Sequence, residues 1–275
     1  MHSIRVFLSA FGVLVAAIFV TGANWPTYSG EPDFRPEKII AVTNLDDSGR
    51  GSLRAALAET GKRKVEFAVA GEIWLKTPLQ IKQPYVIVDG ETAPSPGISI
   101  MGDKLRVAAH DVVVRHLRIR VGELDGSKPN HRDGISIDSS RNGKRLAYNV
   151  IVENCSISWA IDEGLAIWGN GSRHITIRNN IIAETLRQSR HPKGAHSMGL
   201  IVGPGSEDIL IEGNLFAHNQ FRNPAISWNT STMVVNNLIY NPGNVGLHFY
   251  ARKGEGPTLV SAVGNVLVAG PDTRS

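Results

Sequence analysis

The sequence predicts a parallel β-helix, an all-β solenoid in which short strands stack coil upon coil. Three observations indicate it: six segments repeat one template, the repeats come at near-regular steps, and 28 glycines and 14 prolines accompany few aromatic residues. In each segment β-branched and polar residues alternate, a polar or small pair follows, and an apolar stretch then resumes. The segments are Asp111–Arg120, Asn149–Ser158, His174–Ala183, Asp208–Ala217, Ser231–Tyr240 and Leu259–Val268.

Aligning the six segments on their polar pair produces a single column of residues. Successive members are separated by 38, 25, 34, 23 and 28 residues, which indicates a solenoid with two longer loop insertions. Asparagine tolerates a left-handed backbone at a bend, and stacked asparagines can form hydrogen-bonded amide ladders. A β-sandwich is the alternative, although asparagine at a fixed position argues against it. The column consists of Leu117, Cys155, Asn180, Asn214, Asn237 and Asn265.

The N-terminal residues 1–23 are predicted to be a signal peptide. Basic residues precede the apolar run Val6–Val20, and small residues up to Ala23 offer a cleavage site. The run is short for a membrane span of about 20 residues, so we expect secretion to the extracellular or periplasmic space without membrane insertion; an uncleaved anchor is the alternative. Residues 24–275 then form one β-helix domain, which either ends in a short closing tail or continues in a longer protein.

A short helix is predicted near the start of this domain. Ser52 is a favourable N-cap residue for the amphipathic segment Leu53–Glu59, and Gly61 ends it. Such a helix can cover the open end of a solenoid, whose first strand would otherwise expose unpaired backbone groups.

Charge and cysteine content limit the classes of function. The formal net charge is +4, which favours anionic partners, but no basic motif interleaved with aromatic residues indicates nucleic-acid binding. Cys155 is the only cysteine, so no internal disulfide can form, and its place in the aligned column predicts a buried, inert thiol. We expect a monomer.

Short motifs along the chain resemble those of the secreted pectate lyases and occur in the same order. Each motif is weak alone; together they cover residues 41–268. The resemblance implies a right-handed β-helix that cleaves an acidic, uronate-containing polysaccharide, most directly pectate, by β-elimination with Ca²⁺. The motifs are GRGSLRAA (Gly49–Ala56), DGETAP (Asp89–Pro94), VRHLRIR (Val114–Arg120), DGISI (Asp133–Ile137), CSISWAIDE (Cys155–Glu163), and NLFAHN (Asn214–Asn219) leading to RNP (Arg222–Pro224).

This resemblance implies that carboxylates hold the metal ion. Asp133 and Asp162 match acidic ligands of the family by position, and Glu163, which adjoins Asp162 in the sequence, is a further candidate ligand. Ca²⁺ takes several oxygen ligands and, bound to a uronate carboxylate, stabilises the carbanion that proton abstraction creates. One departure is Ala166, which stands where the family typically has a further aspartate. The alternative interpretation makes Asp133 a turn residue and Asp162 a solvated loop acid.

Arg222 matches the catalytic arginine of the family. Arginine is an awkward proton acceptor because its side chain stays protonated in proteins. The residue therefore either needs cationic neighbours and the metal ion to lose its proton, or it chiefly stabilises the enolate-like charge. Ser227 stands where a second arginine is usual, which removes one clamp on a substrate carboxylate. An ion pair on the solenoid surface is the alternative role for Arg222.

Further candidates would contact the substrate. The family places a substrate-binding lysine before Gly199; none aligns cleanly, so Lys193 and His196 are both candidates, with Arg190 beside them. Histidine titrates near neutrality, and His196 is predicted to protonate the leaving oxygen. Trp159 either stacks on a sugar ring or packs under its own loop.

Two other functions stay open. A β-helical glycoside hydrolase needs two carboxylates that flank the bond. Asp162 and Glu163 are adjacent, and on a strand they would point to opposite faces, which argues against that pair. A non-catalytic carbohydrate-binding or adhesive solenoid is favoured if Ala166 and Ser227 mark a site that has lost its chemistry.

Overall fold

A computed structural model describes residues 34–123, 131–140 and 146–274. The predicted signal peptide lies outside these residues. The described chain forms three parallel sheets, and from Arg63 onward the backbone passes from one sheet to the next in each coil. The all-β solenoid prediction is confirmed. No helix in the described ranges has the length and apolar character needed to cross a membrane.

Sheet A has nine strands, sheet B eight and sheet C seven. Sheet A comprises β1 (Lys38–Val42), β2 (Arg63–Phe67), β5 (Val86–Asp89), β8 (Val112–Arg115), β11 (Tyr148–Glu153), β14 (Arg173–Arg178), β17 (Glu207–Glu212), β20 (Thr230–Val235) and β23 (Thr258–Val263). Sheet B comprises β3 (Gly71–Trp74), β6 (Ile98–Met101), β9 (Arg118–Arg120), β12 (Ser156–Ser158), β15 (Ile181–Ala183), β18 (Leu215–Ala217), β21 (Leu238–Tyr240) and β24 (Val266–Val268). Sheet C comprises β4 (Leu79–Ile81), β7 (Leu105–Val107), β10 (Ile135–Asp138), β13 (Glu163–Trp168), β16 (Met198–Val202), β19 (Ala225–Ile226) and β22 (His248–Phe249).

The six sequence segments are the strands of sheets A and B with the bend between them. The first segment, for example, becomes β8 and β9, and the last becomes β23 and β24. The sequence template did not detect sheet C, because the strands of this sheet are short or follow loops of very different length. Each coil therefore has three sides rather than the two that the template describes.

The interior is filled by aliphatic residues stacked at matching register positions. Val150 of β11 pairs with Ile175 of β14, which pairs with Ile209 of β17, and all three are almost fully buried. Removing such side chains from water is the main favourable contribution to folding. Because no coil can bury its own inward face, each depends on the coils above and below it.

A short helix covers the N-terminal end of this interior, as predicted. Helix α1 (Leu53–Ala58) begins after Ser52, whose hydroxyl accepts a hydrogen bond from the backbone N–H of Ala55. Leu53 and Leu57 are 1% exposed and belong to the same core as the strands. The apolar face of α1 therefore replaces the coil that would otherwise precede the first one.

An asparagine ladder lies at the bend between sheets A and B. The Oδ1 of Asn214 accepts hydrogen bonds from the backbone N–H and from the Nδ2 of Asn180, each at 3.0 Å. Asn214 in turn donates the same two hydrogen bonds to the Oδ1 of Asn237. The Nδ2 of Asn214 also donates to the carbonyl oxygen of Ile177 at 2.8 Å. Each amide thereby satisfies backbone groups that a bend leaves unpaired and joins one coil to the next.

The left-handed residue at this bend is the one before the ladder residue. Asn154, Asn179 and Asn236 have φ angles of 52°, 55° and 56°, whereas the ladder asparagines lie outside the left-handed region. The prediction that the ladder residues themselves adopt this conformation is wrong. The preceding residue makes the turn, which leaves the ladder side chain pointing inward at 1% exposure for Asn180 and Asn214.

Alternating charges align on the outer face of sheet A. Arg115 lies 2.8 Å from Asp89 on one side and 3.7 Å from Glu153 on the other, and Arg178 lies 2.6 Å from Glu153. These residues occupy matching positions in β5, β8, β11 and β14. Arg115 therefore takes part in a structural column of alternating charges.

We predict that Asn214→Ala lowers the free energy of unfolding by about 3 kcal/mol, because it leaves buried backbone and amide donors without acceptors. Urea denaturation followed by circular dichroism measures this change. Asn244, which is exposed and outside the ladder, provides the control: Asn244→Ala should change stability by less than about 0.5 kcal/mol. Equal effects of the two substitutions would contradict a stabilising ladder.

The Cys155 thiol should be unreactive in the folded protein. Burial raises the pKa of Cys155 to about 12, and the side chain is 2% exposed. Because the thiolate is the reactive form, an aromatic disulfide reagent at pH 8 should label the native chain far more slowly than the urea-unfolded chain. A Lys82→Cys variant, with its new thiol at an exposed position, should label at once in the native state. Rapid labelling of the unaltered protein in its native state would show that the interior around Cys155 becomes accessible to the reagent.

Candidate active site

The predicted site residues lie where the chain leads from sheet B into sheet C. Asp133 precedes β10, Asp162 precedes β13 and Glu163 begins it, His196 precedes β16, and Arg222 precedes β19. Parallel strands in neighbouring coils are spaced about 4.8 Å apart, so loops that leave the same corner bring their side chains together. Residues far apart in sequence thus form one cluster on one side of the solenoid.

Three carboxylates converge at this corner. One oxygen from each of Asp133, Asp162 and Glu163 lies within 4.8 Å of the others. Ile135 pairs with Leu165, so Asp133 and Glu163 occupy the same register position in successive coils. We call these three residues the acidic trio. The expectation that Asp162 and Glu163 point to opposite faces is wrong, because Asp162 lies before the strand, where side-chain alternation does not apply.

Glycine at the next position allows this close approach. A Cβ at Gly134 would lie 2.3 Å from Ile157 Cγ2 and 2.4 Å from the carbonyl oxygen of Gly164. A Cβ at Gly164 would likewise lie 2.7 Å from Ile182 Cγ2. Any side chain at these positions would push sheet C away from sheet B, and the acidic residues with it.

Each carboxylate of the acidic trio has a basic partner. Lys104 Nζ lies 3.1 Å from Asp133 Oδ2, His196 Nε2 lies 2.9 Å from Asp162 Oδ1, and Arg222 Nη1 contacts Glu163 Oε1. Burial raises the pKa of Asp133 to about 6; the Asp162 carboxylate adds to this, and the Lys104 ammonium opposes it. The chain thus offsets three nearby negative charges with groups from neighbouring coils.

A pair of stacked histidines adjoins Asp162. The rings of His191 and His196 lie 3.7 Å apart between centroids at an interplanar angle of 21°. His191 Nε2 is 3.6 Å from the same Asp162 oxygen that His196 contacts, and the His191 side chain is fully buried. Burial lowers the pKa of His191, and the nearby cationic side chains reinforce this effect against Asp162. The His191 imidazole is therefore kept neutral.

Arg222 rests on a buried polar platform. The Thr185 hydroxyl donates to Asn219 Oδ1 at 2.9 Å, and Asn219 Nδ2 donates to Asn223 Oδ1 at 3.1 Å. Arg222 itself has a left-handed backbone, with φ of 59°, which residues other than glycine rarely adopt. Its buried Nε–H finds no hydrogen-bond acceptor among the described residues. Such strain and unsatisfied polarity concentrate at functional sites.

The other predicted substrate contacts lie at the edge of the cluster. Lys193 is exposed, and its backbone N–H donates to His191 Nδ1 at 3.3 Å. Arg190 is exposed and pairs with Glu123, through its backbone N–H and at 3.8 Å through Nε. Trp159 is 41% exposed, with the guanidinium carbon of Arg120 5.8 Å from the centre of its ring.

The two departures from the family pattern are both buried. Ala166 lies in the middle of β13 with 7% exposure, and Ser227 follows β19 with 3% exposure. Neither position belongs to the acidic trio, whose third carboxylate comes from Glu163.

The sequence model of the family described as the right handed beta helix region matches residues 123–261. This range includes most of the cluster and the ladder residues Asn180, Asn214 and Asn237. The chain belongs to the right-handed β-helix family. The right-handed sense of the solenoid, which only the resemblance to the pectate lyases implied, is thereby confirmed.

Curated relatives of this β-helix chain carry the name probable pectate lyase C. The chain is 35% identical over 240 residues to the protein of Aspergillus terreus, which covers 87% of this chain and 52% of the relative. It is 33% identical over 272 residues to that of Neosartorya fischeri, covering 98% of this chain and 58% of the relative. The chain spans about half the length of the curated relatives it matches.

A solved structure agrees on the β-helix fold. The cedar pollen allergen Jun a 1 superposes with a TM-score of 0.60, covering 86% of this chain and 79% of the allergen. The sequence identity is 17%, so this likeness concerns the fold alone.

Sequence reasoning missed Lys104 and His191 in this β-helix. A signal for the shared corner was present in the repeated Asp133-Gly134-Ile135, Glu163-Gly164-Leu165 and Met198-Gly199-Leu200 triplets, each of which enters a strand of sheet C. Lys104 precedes Leu105 at the same corner one coil earlier. No sequence pattern indicated His191, because its partners are defined only when the loop folds.

Proposed function

We propose that this protein is a secreted, monomeric polysaccharide lyase that cleaves an acidic polysaccharide, most directly pectate, by Ca²⁺-assisted β-elimination. The observation that carries the proposal is the contact of Arg222 with Glu163, which puts a cationic side chain directly against the acidic trio. Curated relatives over most of this chain are named probable pectate lyase C, which supports the same reaction class.

The acidic trio fits Ca²⁺ in ligand type and in spacing. Ca²⁺ binds carboxylate oxygens at about 2.3–2.6 Å, so oxygens within 4.8 Å of one another can share one ion. Asp133, Asp162 and Glu163 would hold it, with substrate carboxylate and water completing the ligands. When bound, the ion supplies positive charge that stabilises the carbanion next to the uronate carboxylate.

Arg222 would stabilise the charge that develops on the substrate. Arginine stays protonated in proteins, and its guanidinium here contacts the Glu163 carboxylate, which suits electrostatic stabilisation of an enolate-like oxygen better than proton abstraction. If Arg222 instead removes the substrate proton, its contact with Glu163 must first break, and the Glu163 carboxylate must pair with another cation.

His196 would donate the proton to the leaving glycosidic oxygen. Its Nε2 faces Asp162, which fixes the ring orientation, and the stacked His191 ring holds the ring plane. Lys193 and Arg190 would attract uronate carboxylates at the exposed edge, and Trp159 would present an aromatic face to a sugar ring.

A glycoside hydrolase is the second candidate. Such an enzyme uses two carboxyl groups at one glycosidic bond, and the acidic trio supplies carboxylates that lie close together. The basic partner on every member of the trio favours the lyase, since a hydrolytic pair needs one carboxyl group held protonated and one free.

Incubation with polygalacturonate and Ca²⁺ should give the ultraviolet absorbance of an unsaturated uronate, which is lost on chelation. We predict that Arg222→Ala lowers kcat/KM on the order of 10²–10³-fold, as expected for loss of a transition-state charge partner. Arg35→Ala, an exposed arginine in the first coil, should leave the rate unchanged.

Three results would contradict the proposal. Full activity in Arg222→Ala removes the assigned role of that residue. New reducing ends without absorbance indicate hydrolysis, and polysaccharide binding with neither product indicates a non-catalytic solenoid.

Lys104 should weaken Ca²⁺ binding, because its ammonium already neutralises Asp133 and repels a second cation. We predict that Lys104→Met raises Ca²⁺ affinity about tenfold, measured by calorimetry at pH 8, where Asp133 is ionised. The exposed Lys82→Met serves as control and should leave the affinity unchanged. A weaker Ca²⁺ complex in Lys104→Met would show that Asp133 is not a ligand.

A further inference from the structure

We propose that Asp162, His191 and His196 form a binding site for a transition-metal ion such as Zn²⁺, separate from the acidic trio but sharing Asp162 with it. One ligand atom from each of the three residues lies within 4.8 Å of the other two. Two imidazoles and one carboxylate suit Zn²⁺ and related ions, whereas Ca²⁺ prefers oxygen ligands.

The buried state of His191 is the independent observation that points to a ligand. Its side chain is fully buried, yet its Nε2 has no hydrogen-bond partner among the described residues. That nitrogen faces the Asp162 carboxylate at 3.6 Å, beyond hydrogen-bonding distance. A buried polar atom that faces a carboxylate without bonding it leaves room for a small cation between them.

His196 approaches the same carboxylate oxygen from the adjacent ring. Its Nε2 lies 2.9 Å from Asp162 Oδ1, and its backbone N–H donates to the carbonyl oxygen of Arg187 at 2.9 Å. Both the side chain and the backbone of His196 are thus held in place. Metal binding would replace the contact between Nε2 and Asp162 with two metal–ligand bonds.

Metal binding requires a proton to leave Nε2 of each histidine. His196 Nε2 contacts a carboxylate oxygen, which accepts, so this nitrogen carries a proton that must move to Nδ1 before a metal ion binds. His191 Nδ1 accepts a hydrogen bond from the Lys193 N–H at 3.3 Å, so the neutral ring carries its proton on Nε2. For Nε2 to bind a metal ion, that proton must move to Nδ1, and the Lys193 bond is lost. The lost bond is longer than usual and therefore weak, whereas three metal–ligand bonds form.

Sharing of Asp162 couples the two sites. A cation held by the histidines draws Asp162 away from the acidic trio, and its charge repels a second cation nearby. Zn²⁺ should therefore weaken Ca²⁺ binding, and Ca²⁺ should weaken Zn²⁺ binding by the same factor.

The test is titration of the metal-free protein with Co²⁺ as a spectroscopic substitute for Zn²⁺. We expect one equivalent to bind, with visible absorption bands that Zn²⁺ abolishes. His191→Gln and His196→Gln should each weaken binding by more than the roughly 10–100-fold that loss of an outer-shell partner costs. His218→Gln is the matched control, because His218 bonds Asn241 outside the cluster, and it should bind Co²⁺ as the unaltered protein does.

Glu163→Gln and Arg222→Ala separate this proposal from the lyase. Both alter the acidic trio or its partner, so both should impair elimination while Co²⁺ binding persists. Absence of Co²⁺ bands in the unaltered protein, or undiminished bands in both histidine variants, would overturn the site. If the variants fail to fold, X-ray absorption of the Zn²⁺-loaded natural chain decides: two imidazole ligands support the site, and an all-oxygen shell refutes it.

Discussion

In-register stacking of coils is the constraint on which the rest of this structure depends. The asparagine ladder enforces that register at the bend between sheets A and B, because each amide bonds groups of the coils directly next to it. A slip of one residue would turn inward aliphatic side chains outward and break the ladder at the same time. The apolar core and the ladder therefore select the same arrangement.

Register at the ladder also determines the chemistry at the opposite corner. The acidic trio, the histidine pair and Arg222 come from different coils, and no single loop holds the cluster together. Their distances follow from the spacing of parallel strands, and the glycines at the start of sheet C keep that spacing short. Loops of very different length can therefore supply site residues, provided that each re-enters sheet C in register.

Sequence alone could predict two sheets of the solenoid, the capping helix and the ladder. Those features depend on local alternation and on asparagine at a repeated position, which Asn180, Asn214 and Asn237 display directly. Sheet C could not be predicted in the same way, because strands such as β19 have two residues and lack alternation. Lys104 and His191 were missed for a related reason: their partners, Asp133 and Asp162, lie in other coils. The family pattern placed Asp133, Asp162, Glu163 and Arg222 in one site, but only the three-dimensional register explains why Asp133 and Glu163 are neighbours.

Charge balance at the corner makes ligand binding an exchange and not a simple addition. Lys104, His196 and Arg222 each occupy one carboxylate of the acidic trio, so an entering cation competes with partners already in place. On the lyase proposal, the carboxylate of an anionic substrate would offer Lys104 or Arg222 a new partner while the trio turns toward the cation. Metal ion and uronate would then bind more tightly together than either does alone. The same pairing keeps the buried carboxylates of Asp133 and Glu163 and the partly buried one of Asp162 compatible with a stable fold, since an unpaired buried charge is far more costly than a paired one.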